Sequence, residues 1–231
     1  MSLIIAMKSS GGIVLGADSR GTIGDPRGLT AINDKFKKIY PLEKCGIGFA
    51  GASELGATLL DELKKSNQNN FADIDIAIQS VFNVSTASFG SWFKNIPPKE
   101  WPPVLVTLCG YRYKDGVPHP IIYLLNSQLC FAPQLCDISP CMTGVPQYAV
   151  YLVHRYYDQN IPIDKALALV EYLIAETASQ DPKVGGPICL STITPSSGYT
   201  ELTSEQIAHI HADNEALNLK LKQFFLTGDV S

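Results

Sequence analysis

Ser2 follows Met1 directly, and removal of that one methionine would expose a serine with a free α-amine beside its hydroxyl. A serine hydroxyl becomes a useful nucleophile when a base takes its proton, and an α-amine with an unperturbed pKa of about 7.7–8.0 is such a base. A base with a pKa near the working pH is also an efficient one. Ser2 could therefore supply both the nucleophile and the base for attack on a carbonyl.

Two strand-like runs bring a carboxylate back towards Ser2. The apolar run at residues 3–8 reaches Gly11 and Gly12, and a second run at residues 13–18 ends in Asp18. A glycine turn between two such runs favours a hairpin, which would place Asp18 beside the amine and hydroxyl of residue 2. The simpler alternative is that Ser2 is only a small residue after the start methionine.

Three further segments carry groups that suit the same chemistry. The second strand continues into small and polar residues, a lysine cluster precedes another strand-like run, and a short apolar strand reaches a glycine before a helix. Backbone N–H groups at such a strand end can face an anion. The three segments read GADSRGT at residues 16–22, NDKFKKIY at residues 33–40 and GIGFAGAS at residues 46–53.

In order and spacing, these segments resemble a known family. They are similar to the β-type subunits of the proteasome and the related bacterial proteasome-like peptidase, which are N-terminal-nucleophile hydrolases. The main resemblance lies within residues 1–60, and weaker matches follow at residues 142–144 and 181–186. It implies an amide-bond hydrolase, a peptidase that forms an acyl-enzyme on its first residue.

The resemblance implies a role for each matching residue. Ser2 looks like the nucleophile, with its own amine as proton acceptor, and Asp181 like a carboxylate that supports it. Asp18 and Lys35 resemble the charged pair beneath the nucleophile. An ammonium there would disfavour a second positive charge and keep the amine neutral. Gly51 matches the residue whose backbone N–H faces the oxyanion.

The resemblance also implies where a peptide or protein substrate would bind. The substrate would lie as an added strand between residues 21–22 and residues 51–53, with main-chain hydrogen bonds supplying affinity. No cofactor and no metal are expected, since the histidines and cysteines lack the spacing of a metal motif. The predicted substrate-binding residues are Gly21, Thr22, Asn33, Phe49 and Ser53.

Some positions depart from the family pattern and leave other functions open. Val145 and Val184 stand where serines are usual, and valine can neither donate nor accept a hydrogen bond. The chain could therefore be a catalytically silent structural or regulatory subunit of the same fold. A third alternative is transfer of the acyl group to an amine, as in a transferase or ligase. Asp181 could also be a turn residue, and Lys35 a solvated charge.

Composition bounds the class of protein. Apolar residues make up 45% of the 231 residues and charged residues 17%, which favours a globular chain with a large core and a single domain over residues 1–231. The net charge of −4 and the absence of a basic cluster with interleaved aromatics argue against nucleic acid, and the short group at Lys35 to Lys38 is too small to reverse this. No apolar stretch is long enough to cross a membrane, no targeting signal is evident, and six unpaired cysteines are expected, so a cytoplasmic location is predicted.

The predicted elements are grouped by type rather than alternating. Such an order indicates an α+β fold. The resemblance sharpens this to a four-layer αββα sandwich, with two antiparallel sheets between helical layers, and implies a homo-oligomer in rings or stacked rings, with an unfoldase partner by analogy. Strands are predicted near residues 2–9, 12–19, 32–40, 45–51, 104–112, 120–126, 128–133, 187–194 and 199–202, and helices near 54–65, 73–93, 146–157, 163–178 and 204–224.

Overall fold

The computed structural model of the chain describes residues 2–24, 30–66, 71–137 and 140–228. The side chains of residues 23, 24, 30 and 53 lie outside that description, and so does Met1, whose removal the predicted chemistry requires. Across the described ranges, no helix combines the length and the apolar character that crossing a membrane would need.

Twelve strands and five α-helices are found in the described ranges. In chain order they are β1 (Leu3–Ser9), β2 (Gly12–Ala17), β3 (Gly21–Gly24), β4 (Thr30–Asn33), β5 (Ile39–Leu42), β6 (Cys45–Gly51), α1 (Ser53–Lys65), α2 (Ile74–Trp92), β7 (Val104–Lys114), β8 (Val117–Asn126), β9 (Gln134–Leu135), β10 (Cys141–Gly144), α3 (Gln147–Tyr156), α4 (Ile163–Gln180), β11 (Cys189–Thr194), β12 (Gly198–Glu201) and α5 (Ser204–Thr227).

The strands form two five-stranded antiparallel sheets. The first sheet has the order β10-β1-β2-β11-β12 and the second the order β5-β6-β7-β8-β9, while β3 and β4 pair as a separate hairpin. In the first sheet, Ile4 lies opposite Ala17 on β2 and Thr143 on β10. Strand β1 therefore lies between β10 and β2.

The strand β1 shows why the sheets stack between helices. It is buried on both faces, which explains its continuous apolar sequence. Because side chains alternate along a strand, Leu3 and Ile5 face a core shared with α3 and α4, whereas Ile4 and Ala6 face a core between the two sheets. A third core lies between the second sheet and helices α1 and α2. The result is the predicted four-layer αββα sandwich.

Two glycines on β6 let the sheets approach each other. A Cβ at Gly46 would lie 3.0–3.2 Å from the side chains of Tyr199, Leu15 and Ile193, and one at Gly48 would lie 3.2 Å from Ile4. Such distances are tighter than most contacts that a real Cβ makes. The GIGFAG segment is thus glycine-rich where it crosses the first sheet, and its apolar Ile47 points to the helices.

The long strand predicted at residues 32–40 is two strands. Strand β4 ends at Asn33 and β5 begins only at Ile39. The Asn33 side chain accepts a hydrogen bond from the Lys35 N–H at 3.0 Å, which closes a local turn that competes with a straight strand. This break changes which lysine reaches the site described below.

Other strand predictions are also wrong. The strand predicted at residues 128–133 is instead a 3-10 turn at Ser127–Leu129, and Cys130 and Phe131 follow it with φ angles of 52° and 55°. Strands β3, β9 and β10 were not predicted either; each has four residues or fewer, over which a periodic pattern is weak. Helix α5 begins with a capping box between Thr203 and Gln206.

Candidate active site

Ser2 lies at the entrance to β1, where both neighbouring strands end. Ser2 is only 6% exposed, and its carbonyl accepts a hydrogen bond from the Val145 N–H at 2.9 Å. Gly144 precedes that donor with a φ of 96°, and a Cβ there would lie 1.6 Å from the Ser2 carbonyl oxygen. Only glycine permits this approach, so the end of β10 fixes the position of the residue 2 backbone.

Asp18 is the centre of the hydrogen bonds beside Ser2. Its Oδ1 atom accepts the Leu3 N–H at 2.9 Å, and its Oδ2 atom accepts the N–H groups of Arg20 and Gly185, each at 3.1 Å. The residue is buried, and three backbone donors suit a carboxylate without a proton. The hairpin prediction is therefore matched in geometry: Asp18 binds the residue directly after Ser2.

The lysine that pairs with Asp18 is Lys38, and the predicted pair of Asp18 with Lys35 is wrong. The Nζ atom of Lys38 lies 2.6 Å from Oδ1 of Asp18 and donates a second hydrogen bond to the Arg20 carbonyl at 2.7 Å. Lys35 is exposed, and its position lies in the turn after Asn33. Burial lowers the pKa of the Lys38 ammonium from its usual value, and the Asp18 carboxylate opposes part of that shift.

The backbone explains why position 38 and not position 35 reaches the site. The Lys38 carbonyl accepts a hydrogen bond from the Phe49 N–H at 2.9 Å, so residue 38 already lies along β6, one residue before β5 begins. Phe36 N–H donates to the Ser19 carbonyl at 3.0 Å and ties the preceding segment to the end of β2. Two sequence signals could have indicated the correct lysine. One is the turn-forming segment NDK at residues 33–35, and the other is the apolar Ile39, where the strand begins.

Gly51 ends β6 with a φ of 101°, two residues after Phe49, whose N–H binds the Lys38 carbonyl. Successive N–H groups of a strand point to opposite edges. Since the Ala52 N–H binds the Pro103 carbonyl on the β7 side and the Phe49 N–H binds the Lys38 carbonyl on the other side, the alternation directs the Gly51 N–H to the side of Lys38. It lies there beyond Ile39, the first residue of β5, because Ile39 pairs with Gly48. That placement suits a donor for a developing anion.

The predicted supporting carboxylate, Asp181, lies at the end of α4. Its Oδ1 atom accepts the Lys183 N–H at 2.8 Å and its carbonyl accepts the Val184 N–H at 3.0 Å, so its observed contacts are those of a turn. Asp181 and Val145 border one small cavity of about 210 Å³. Val145 and Val184 are buried in the core that faces α3 and α4, where they pack against apolar neighbours.

The predicted substrate-binding positions fall in different surroundings. Gly21 and Thr22 lie on β3, where Gly21 pairs with Asn33 on β4. Phe49 is buried in the core beneath α1, so its predicted place in the lining of a pocket is corrected to a packing position. Ser53 begins α1, and its side chain lies outside the described residues.

Sequence reasoning missed two residues that hold the site together. Arg20 pairs with Asp34 through two hydrogen bonds, from Nε at 2.8 Å and from Nη2 at 3.0 Å. It also donates from Nη1 to the carbonyls of Pro182 and Val184 at 3.2 and 3.4 Å. The hydrogen bonds of Arg20 lower the pKa of Asp34. Arg20 thus connects the β4–β5 turn and the loop after α4 to the end of β2. The GADSRGT run at residues 16–22 was the sequence feature that could have indicated a role for Arg20.

No cluster of three or more histidine, cysteine, aspartate or glutamate residues within the described ranges could hold a metal ion. The site offers a buried ammonium and carboxylate, a hydroxyl residue at the start of a strand, and a backbone N–H at the end of β6. These groups suit acyl chemistry by charge and hydrogen bonding.

Comparison with known proteins places the fold. No family model matches the sequence, and no curated protein does. Three solved structures are similar: Anbu (ancestral beta-subunit) from Yersinia bercovieri, with a TM-score of 0.76, 16% identity and 97% of each chain covered; an Anbu (Gly-1) mutant from Hyphomicrobium sp. strain MC1, with 0.72, 14%, and 98% and 97% of this and that chain; and the helical assembly of the Anbu complex from Pseudomonas aeruginosa, with 0.71, 18%, and 96% and 95%.

These comparisons correct the family that the sequence suggested. The prediction named the proteasome β-type subunits and the bacterial proteasome-like peptidase, whereas the similar structures are those of Anbu proteins. The matching segments build the first hairpin, the charged pair and the end of β6. At 14–18% identity the similarity concerns the fold. The chain therefore has the N-terminal-nucleophile hydrolase fold, as found in the Anbu structures.

Proposed function

We propose that this chain hydrolyses amide bonds, with Ser2 as the nucleophile after Met1 is removed. The single observation that carries the proposal is the contact of Asp18 Oδ1 with both the Leu3 N–H and the Lys38 ammonium. It brings a buried positive charge next to the first residue of the mature chain. A buried ion pair often adds little net stability, and charged groups perturbed in this way cluster at functional sites.

The Ser2 amine would act as the base. It accepts the proton of the Ser2 hydroxyl, directly or through a water, as the oxygen attacks the substrate carbonyl. The amine then gives the proton to the departing amine of the substrate, which leaves an ester on Ser2. A water molecule, activated by the same amine, attacks the ester, releases the acid and restores the serine. Atoms and protons balance over the two steps, because one water is consumed for each amide bond broken.

The charged pair would tune that base. A nearby ammonium on Lys38 disfavours a second positive charge and so lowers the pKa of the amine. Asp18 orients the lysine and offsets part of its charge. Lys38 uses two of its three N–H donors on Asp18 and Arg20, so one donor is left for the nucleophile or the substrate.

The backbone N–H of Gly51 would stabilise the oxyanion that forms when Ser2 attacks. Loss of one such donor in other hydrolases costs about 2.7–4 kcal/mol of transition-state stabilisation. A peptide could add its main chain between β3 and the end of β6, with Gly21, Thr22 and Asn33 on one side. Asp181 would support the loop beside the amine.

The experiment is intact-mass analysis of the full chain with and without a β-lactone. An alkoxide opens a β-lactone and becomes acylated. We expect the purified protein to lack Met1 and to gain one acyl group, mapped to Ser2. Ser2→Ala removes the hydroxyl and should abolish the adduct. Ser10→Ala, at the exposed turn at the far end of β1, is the matched control and should be labelled like the unchanged protein.

Two results would count against the proposal. Retention of Met1 in the purified protein would leave no free amine at Ser2. Labelling of the Ser2→Ala variant at the same rate as the parent would show that another group reacts.

A second candidate is a catalytically silent subunit. Val145 and Val184 favour it, since both are buried apolar residues where a hydroxyl network beside the amine would be expected. It predicts removal of Met1 without acylation of Ser2. Transfer of the acyl group to an amine is the third alternative. A peptide amine added to the reaction would then yield a new amide instead of the free acid.

We also propose that the chain folds as one domain over residues 1–231 and assembles with copies of itself in the cytoplasm. The core shared by the two sheets supports one domain. The helical assembly described for the Anbu complex from Pseudomonas aeruginosa supports self-association. Sedimentation velocity of the full chain tests this directly, because a monomer would contradict it. An unfoldase partner stays a prediction.

A further inference from the structure

A cavity of about 380 Å³ lies at the edges of the two sheets, far along β1 from Ser2. Cys136 and Cys141 both line it, together with Asp137 and Pro140. Cys136 follows β9 on the edge of the second sheet, where its N–H donates to the Ile122 carbonyl at 2.9 Å. Cys141 begins β10 on the edge of the first sheet. The two thiols therefore belong to different sheets although only four residues separate them in the chain.

The two thiols lie in one packed cluster. Cys136 packs against the core that contains Cys141, and both residues line the same cavity. Cys141 is buried, whereas Cys136 is partly exposed towards the cavity. Neither residue is in a disulfide. One thiol can thus meet a solute while the other lies behind it.

The surroundings make Cys136 the more acidic of the two. The neighbouring Cys141 thiol lowers the pKa of Cys136, partial burial opposes that shift, and the Lys8 ammonium lowers it further. Lys8 is held nearby by Asp137, with Nζ 3.2 Å from Oδ1. The Cys136 thiol, followed by burial, raises the pKa of Cys141. In such a pair, the thiol with the lower pKa, Cys136, ionises first, and the thiol with the higher pKa, Cys141, keeps its proton.

We propose that Cys136 and Cys141 form a peroxide-sensitive dithiol that closes to a disulfide between the two sheets. The Cys136 thiolate attacks one oxygen of hydrogen peroxide, the O–O bond breaks, and hydroxide leaves, so Cys136 becomes a sulfenic acid. The Cys141 sulfur then attacks the Cys136 sulfur, and the sulfenic oxygen leaves as water with the Cys141 proton. The sum is two thiols and one peroxide giving one disulfide and two waters.

The link would act on the strand that reaches Ser2. Strand β10 runs from Cys141 to Gly144, and the next N–H, of Val145, binds the Ser2 carbonyl. A disulfide at its first residue would tie β10 to the edge of the second sheet. This modification site is independent of whether Ser2 is catalytic.

The test treats the full chain carrying Cys130→Ser with hydrogen peroxide and blocks the remaining thiols by alkylation. Cys130 is replaced because it is exposed and lies on the same side of Asp137 as Cys136. A protease that cleaves before aspartate separates Cys136 from Cys141, in peptides spanning residues 115–136 and 137–157. We expect these peptides to be joined without reductant and separate with it, and the intact chain to lose two hydrogens.

Single variants keep the proposal falsifiable. Cys141→Ala should leave a sulfenic acid on Cys136 that dimedone captures, whereas Cys136→Ala should give neither a sulfenic acid nor a crosslink. Alanine at either edge position is small, and a thermal melt checks that each variant is folded. The proposal is overturned if the two peptides stay separate after peroxide treatment of the folded protein, or if peroxide oxidises Cys136 no faster than Cys189.

Discussion

Lys38 Nζ lies 2.6 Å from Oδ1 of Asp18, and the same carboxylate oxygen accepts the Leu3 N–H at 2.9 Å. The side chains of the pair are 4% and 0% exposed. Burial of two charges is costly unless their remaining hydrogen bonds are made. Asp18 makes them, because its other oxygen accepts two backbone N–H groups, from Arg20 and Gly185. The pair therefore depends on four separate segments that meet only in the folded chain.

The first prediction compares Lys38→Met with Lys35→Met. Loss of Lys38 leaves the buried Asp18 carboxylate without its counter-charge, so the free energy of unfolding should fall by about 3–5 kcal/mol. Lys35 is exposed, and its replacement should change stability by less than about 0.5 kcal/mol. Urea unfolding of both variants measures this. Acylation of Ser2 should be lost in Lys38→Met and kept in Lys35→Met.

Equal behaviour of the two variants would contradict the assignment of Lys38. If Lys38→Met is too unstable to purify, labelling at low temperature in the presence of sucrose still separates the two lysines, since an excluded osmolyte favours the folded state.

The second prediction concerns alkaline pH. The pKa of Lys38 in the folded chain is below its usual 10.5, mainly because of burial. Between the two values the unfolded chain binds a proton that the folded chain does not, so the contribution of Lys38 to the free energy of unfolding rises with pH through that window. Urea unfolding between neutral pH and about pH 10.5 measures the difference between the parent and Lys38→Met. A difference that stays flat or falls with pH would contradict this.

The same ionisation predicts the pH profile of the reaction. Acylation of Ser2 depends on the charged form of Lys38, so its rate should fall as pH rises through the lowered pKa. Initial rates of β-lactone labelling across this range measure it. A rate that keeps rising up to the usual lysine pKa would argue for a different role of Lys38.

The third prediction tests the apolar character of the loop after α4. Val184→Thr places a hydroxyl in a core of apolar side chains and should lower the free energy of unfolding by about 1–3 kcal/mol. Val117→Thr is the matched control on the exposed start of β8, where the change should be within about 0.5 kcal/mol. Thermal or urea unfolding compares them. A neutral Val184→Thr would indicate that the hydroxyl finds a partner beside the site.

The fourth prediction concerns the attachment of α5. Glu171 on α4 is fully buried, and its Oε1 atom lies 2.7 Å from Nδ1 of His211. His211→Ala leaves that oxygen without its partner and should cost about 1–3 kcal/mol. His209 is two residues away with 80% of its side chain exposed, so His209→Ala should be nearly neutral. Hydrogen exchange of α5 should accelerate in the first variant alone, and equal protection would exclude this contact as an anchor.

Most of the architecture followed from local patterns. Strands β1, β2 and β6 have apolar runs bounded by glycine, and α2, α4 and α5 have helical spacing, so their positions were predicted to within a few residues. The exceptions are short or bounded by side-chain turns. Strand β10 has four residues, and the Asn33 side chain ends β4 early. Periodicity carries no information over so few residues.

The site was harder to predict, because contacts between distant segments select among similar residues. Ser2 and Asp18 are joined by a hairpin, which a local pattern can indicate. The lysine was misassigned because three lysines within four positions fit one motif, and only the turn at Asn33 and the pairing of Lys38 with β6 distinguish them. Arg20 was missed because its partners lie as far away as Val184.

The sequence by itself determined the glycine turn that joins the first two strands and the grouped order of strands and helices, since each depends on neighbouring residues alone. The tertiary structure decided which ammonium meets Asp18, how Arg20 joins the loop after α4 to the end of β2, and which two thiols line one cavity at the sheet edges. Those contacts arise when the two sheets stack. They join atoms only a few ångströms apart, in segments that are up to 164 residues apart in the sequence. A pattern read along the chain does not contain such distances.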